Sequence, residues 1–286
     1  MIAILLGVLA WQFHAETRLV VVDVAVRGRN GDVVTGLPAS AFSLSENGRP
    51  QRIAVFLGEN VPVSVGLVID NSGSMRTKRA RVEAAALAFA RASNPLDELF
   101  AVNFADTARV DVPMTTDRAV LESGIARGDA IGGTALRDAI ALAETYLVEH
   151  ARHRRKVLLV ITDGRDNASE TSLAVVSHAA GRHGIAIYAI GLPQDGTQPH
   201  GRQELDDLAS ATGGIAREVG GPDEAAAAAV DVAHQIRQQY TLGYVPSNPA
   251  LDGSYRRITV AVKAPGRVAV RTREGYFASA QEERTR

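Results

Sequence analysis

Three short segments place oxygen-bearing side chains beside glycines: Asp70-Asn71-Ser72-Gly73-Ser74, Gly132-Gly133-Thr134 and Thr162-Asp163-Gly164. Asp70, Ser72, Ser74, Thr134 and Asp163 together offer two carboxylates and three hydroxyls. Hard oxygen donors select Mg2+, Mn2+ or Ca2+ over softer metals. Mg2+ takes six near-octahedral oxygens and keeps several waters, so short loops leave at least one position to water or to an incoming ligand. Residues 70, 72 and 74 alternate along one turn, which lets their side chains converge, and Gly73 permits close backbone approach. Singly, each piece has a plain explanation, since Ser and Asp cap helices and Asp-Gly makes turns. The case for a site rests on all three pieces occurring in order, each in the right context.

The elements around these segments set that context. Residues 63–69 and 156–161 are apolar runs of strand type, and the first and third segments follow them directly. Residues 99–104 read as a strand, 109–112 as its antiparallel edge, and 185–190 and 215–219 as further strands. Between them, 79–92, 117–126, 135–147, 173–183, 204–211 and 223–239 carry helical periodicity, with Asp117 placed as a cap. This alternation is the signature of a parallel sheet with helical crossovers, a Rossmann-like α/β fold whose ligands gather at the carboxyl ends of the strands. If the strands at 63–69 and 156–161 are neighbours, the three segments converge.

Flanking stretches have a period of two. Residues 18–27 and 33–34 read as one interrupted strand, 42–46 as another, and Asn47-Gly48 as the hairpin turn into a strand over 51–57. Residues 240–245, 256–262 and 267–272 read as strands near the other end. The expected organisation is a leader over 1–15, a β-module over 16–60, the α/β domain over 61–239, returning strands over 240–278 and a charged tail over 279–286. The two β segments then meet as one small sheet or sandwich, with the α/β domain inserted between them.

At the three segments the chain resembles the von Willebrand factor type A domain. The carriers are the D-x-S-x-S signature from Asp70 to Ser74, Gly132-Gly133-Thr134 and Thr162-Asp163-Gly164. The resemblance implies a metal-ion-dependent adhesion site. In it Ser72 and Ser74 ligate Mg2+ directly, Thr134 does so in at least one conformation, and Asp70 and Asp163 act largely through water. A Glu or Asp of a protein partner supplies the last ligand. Further likeness to a secreted bacterial group of such proteins runs from Arg18 to Phe277, through Glu46-Asn47-Gly48-Arg49-Pro50-Gln51, Gln239-Tyr240-Thr241-Leu242-Gly243-Tyr244 and Arg273-Glu274-Gly275-Tyr276. That group implies a secreted or periplasmic protein without an assigned activity, and the adhesion-site resemblance implies a binding protein rather than an enzyme.

Composition narrows the alternatives. The chain has no cysteine, which excludes disulfides, thiolate metal sites and a cysteine nucleophile. Net charge is −1, from 31 Lys+Arg against 32 Asp+Glu, so no cationic surplus points to nucleic acid. Residues 2–11 (IAILLGVLAW) are apolar and too short to span a membrane; they have the length of a secretory h-region but lack a basic flank. A Mg2+-dependent phosphohydrolase or phosphotransferase using Asp70 is the enzymatic alternative. Against it, Asp70 has no second acid beside it, and no lysine reads as serving the site. An inert scaffold is the third reading. His150 and His153 share a helix face with too few partners to hold a transition metal, and the run 152–156 is a short basic patch before a strand.

Overall fold

In open α/β sheets, strands covered by helices on both faces carry apolar side chains on both. The computed structural model, which describes residues 19–125, 131–192 and 200–278, shows that arrangement at its centre. The first strands are β1 (Val20–Gly28), β2 (Phe42–Glu46), β3 (Arg49–Gln51) and β4 (Ile53–Leu57). The α/β elements follow: β5 (Ser64–Asp70), α1 (Arg79–Ala92), β6 (Glu98–Phe104), β7 (Ala108–Thr115), α2 (Arg118–Ile125), α3 (Leu136–His150), β8 (Lys156–Thr162), α4 (Leu173–His183), β9 (Ile185–Gly191), α5 (His200–Thr212), β10 (Ala216–Glu218) and α6 (Pro222–Arg237). The chain then forms β11 (Tyr240–Tyr244), β12 (Tyr255–Val262), β13 (Val268–Arg271) and β14 (Gly275–Phe277).

The central sheet has the order β10-β9-β8-β5-β6-β7, parallel except for β7, which runs antiparallel to β6. Every residue of β5, β6 and β9 is buried. Val65, Leu67 and Ile69 of β5 pack on one face with Val82 and Phe89 of α1 and Val232 of α6. Val68 faces the other side with Phe100, Leu136 and Ile140 of α3 and Val176 of α4. Gly66 is the close approach on that side, because a Cβ there would lie 2.5 Å from Phe100 Cζ and 2.6 Å from Leu158 Cδ2. From β5 the chain steps to β6 on one side and returns to β8 on the other, so β5 is the switch point where loops diverge and leave a crevice.

Two four-stranded sheets, β13-β1-β11-β4 and β14-β12-β2-β3, lie beside this unit, and each combines strands from both ends of the chain. They share a core in which Val22, Val24, Phe42, Leu44, Tyr240, Leu242 and Val260 meet, with the Phe42 and Tyr240 rings 4.8 Å apart. Two expectations need correction. Residues 33–34 do not resume a strand; Val33 makes only an isolated bridge to Arg27. The run 51–57 is not one strand: at the exposed Arg52 the chain leaves β3 in one sheet and enters β4 in the other.

A buried polar network joins the two parts. Arg155, just before β8, has no side-chain exposure; its Nε lies 3.2 Å from Asp23 Oδ1 of β1. Arg155 Nη2 donates to Ile236 O and Gln239 Oε1, each at 2.7 Å, and Gln239 Nε2 donates to Tyr188 Oη at 2.7 Å. The basic run 152–156 is therefore interrupted by a core residue. The shared helix face expected of His150 and His153 also fails. His150 ends α3, stacked on Tyr146 at 4.1 Å, whereas His153 lies beyond the helix beside Leu96 O.

Candidate functional site

Asp70 is the last residue of β5 and is buried. Its Oδ1 accepts the Ser72 N–H at 2.8 Å, and its Oδ2 accepts the Thr162 hydroxyl at 2.6 Å. One carboxylate thus folds the turn after β5 and clamps it to the end of β8. Burial raises the Asp70 pKa, the bonds from Ser72 and Thr162 oppose this, and the charge of Asp163 adds to the rise.

The turn that follows carries the two serines. Ser72 Oγ and Ser74 Oγ stand 3.1 Å apart, Ser72 buried and Ser74 half-buried. The Gly73 N–H between them donates to Gly132 O at 3.0 Å, tying this turn to the loop of Thr134. Thr134 is buried, and its loop is fastened on two sides. Gly133 N–H donates to Asp106 Oδ1 at 2.6 Å, and Thr134 N–H donates to Asn167 Oδ1 at 2.8 Å. In return Thr134 O accepts the N–H groups of Asn167 and Ala168, at 3.0 and 3.2 Å.

Asp163 follows β8. Its Oδ2 lies 3.3 Å from Nζ of Lys78, at the end of the 3-10 turn Gly73–Lys78, and both side chains are almost wholly buried. This corrects the expectation that no lysine serves the site. Gly164 adopts φ +79°, and a Cβ there would lie 2.8 Å from Gly201 at the start of α5, so the position requires glycine.

The structure therefore brings Asp70, Ser72 and Ser74 together on one turn. It joins the Thr134 loop to that turn through Gly73 and the Asp163 loop through Lys78 and Thr162. Among the described residues no group of three or more His, Asp or Glu gathers to hold a metal. The oxygens here are two carboxylates supplemented by hydroxyls, and this donor set fits a hard cation. The 3.1 Å between the serine oxygens also fits, because adjacent corners of an octahedron with ~2.1 Å bonds are ~3 Å apart. Four participants were not read from sequence. Thr162 sits in a quoted segment, and Asp106 lies just past a strand end, where ligands gather. Asn167 and Lys78 reach the site only through the folding of their loops.

The family model of the von Willebrand factor type A domain matches residues 65–165, a span that contains all five candidate ligands. Residues 65–165 thus read as part of a von Willebrand factor type A domain. A solved von Willebrand factor type A protein from Catenulispora acidiphila is 18% identical, with 95% of this chain and 76% of that one covered at a TM-score of 0.55. Proximal thread matrix protein 1 from the mussel byssus, in a structure with a zinc-occupied MIDAS motif, is 20% identical over 65% of this chain and 48% of that one, at a TM-score of 0.53. The vWF domain of the type V pili tip protein Mfa5 from Porphyromonas gingivalis is 15% identical over 62% of this chain and 95% of that one, at a TM-score of 0.51. At these identities the likeness is one of fold. No curated protein matches the chain.

Proposed function

We propose that this chain is a metal-ion-dependent protein-binding module of adhesion type, with Asp70, Ser72, Ser74, Thr134 and Asp163 holding Mg2+, or Mn2+ or Ca2+ in its place. The observation that carries this reading is the Ser72–Ser74 hydroxyl pair, 3.1 Å apart on a turn that the buried Asp70 holds and that Lys78 ties to the Asp163 carboxylate. When bound, the ion supplies a positive centre that attracts a Glu or Asp carboxylate of a protein partner. The chain's own groups prepare that centre. Neutral hydroxyls nearest the ion leave much of its charge unneutralised, and burial strengthens the remaining field. Thr162 and the Ser72 amide hold both oxygens of Asp70, which positions it to accept hydrogen bonds rather than to attack a phosphate. That engagement favours binding over phosphotransfer.

Support for the adhesion reading comes from similar folds in a pilus tip protein and in a matrix protein of the mussel byssus, the second in a structure with a zinc-occupied MIDAS motif. On the same ground we place the module outside the cytoplasm. The apolar run 2–11, read as a secretory leader, lies outside the described residues, and among those described no helix is long and apolar enough to cross a membrane. The test is retention of a protein partner from native extract on the immobilised chain. Retention in Mg2+, release by EDTA and loss with Ser72→Ala are expected. Retention indifferent to both EDTA and Ser72→Ala would overturn the proposal.

A further inference from the structure

We propose that Lys78 is a built-in counter-cation that lowers the metal affinity of the site and raises the affinity of the metal-loaded site for anions. The inference rests on the metal-binding reading above.

Lys78 is 4% exposed, which is rare for a lysine, and its Nζ is held by Asp163 Oδ2 at 3.3 Å. It ends the same six-residue 3-10 turn, Gly73–Lys78, that carries Ser74. One short turn thus brings both a neutral oxygen and a fixed positive charge to the site. Counted formally, two carboxylates alone balance the charge of a dication. With Lys78 among them, the groups and a dication carry one net positive charge; without it they carry none. That residual charge faces an incoming carboxylate in a partly buried setting, where Coulomb energies are several times those in water. The cost falls on the metal, because a dication and an ammonium that share one carboxylate repel each other. At the effective dielectric of such a site this is worth about tenfold or more in affinity.

Two binding equilibria therefore move in opposite directions when the charge is removed, which no loss of packing would produce. The experiment titrates Mn2+ alone into the full chain, followed by the electron paramagnetic resonance of the free ion. Acetate is then titrated in at saturating Mn2+. Lys78→Met should tighten Mn2+ binding about tenfold and weaken acetate binding at least threefold, while Lys78→Arg stays near wild type on both. Lys78→Gln repeats the test should the Met variant not fold. Unchanged or weaker Mn2+ binding in a folded Lys78→Met or Lys78→Gln variant, alongside normal uptake by wild type, overturns the role of Lys78 and leaves the metal site standing. Absence of uptake by wild type and by both neutral variants instead removes the metal reading itself.

Discussion

Glu144 provides a test of the fold through pH. It lies on α3, is 3% exposed, and its Oε1 has no hydrogen-bond partner. Burial pushes its pKa up from 4.5 to about 9, against a weaker opposing pull from Arg182 of α4. The folded protein therefore keeps a proton that the unfolded chain releases above its ordinary carboxyl pKa. The stabilising effect of that proton is complete below the unfolded value and fades as pH rises toward the folded one. Each pH unit inside this window costs about 1.4 kcal/mol, so raising pH from about 5.5 to about 7.5 should cost wild type about 2.7 kcal/mol through Glu144 alone. Glu144→Gln keeps the shape and removes the titration. Urea unfolding of both proteins across that range should show the variant gaining on wild type by about this amount. Parallel stability profiles for the two proteins would refute the assignment of a neutral, buried carboxyl.

Other perturbations follow from buried polar contacts and from backbone geometry. Asp23→Ala strands the guanidinium of Arg155, which has no side-chain exposure, and should cost about 3–5 kcal/mol in denaturant unfolding; the double variant Asp23→Ala/Arg155→Met should recover part of that loss. Glu46 is buried and accepts the hydroxyls of Tyr244 and Tyr276 at 2.8 Å each, so Tyr276→Phe should lower stability by about 1–3 kcal/mol. Gly164→Ala forces a Cβ to 2.8 Å from Gly201 at φ +79°, and should cost about 2 kcal/mol or more in thermal unfolding while displacing the Asp163 loop and weakening metal uptake.

What could be read in advance depended on how locally each feature is determined. β5 and β8 are unbroken apolar runs because helices cover both faces, and such runs announce buried parallel strands without a tertiary clue. Their pairing then brings the D-x-S-x-S and Thr-Asp-Gly turns to one end of the sheet. Asp117 shows the same locality, its Oδ1 accepting the Ala119 N–H at 2.9 Å as the N-terminal cap of α2. Features set by distant partners were not legible. Arg155 looks like its solvated neighbours in sequence, and only distant partners explain its burial: Asp23, 132 positions earlier, and Ile236 and Gln239, 81 and 84 positions later. Lys78 is one of several cations after Ser74, distinguished by a 3-10 turn that folds it back onto Asp163. β14 is three residues long, too short for alternation to register, and it holds its place through β12. The change of sheet at Arg52 leaves no mark, because a strand-like run reads alike in either sheet.

Mg2+ uptake at the β5–β8 end of the sheet is the central claim, and calorimetric titration of the full chain tests it most directly. Wild type should take up one Mg2+, and Asp70→Ala and Ser72→Ala should each abolish the heat of binding while circular dichroism shows the fold intact. Mg2+ binding of wild-type strength in those two variants would contradict the account.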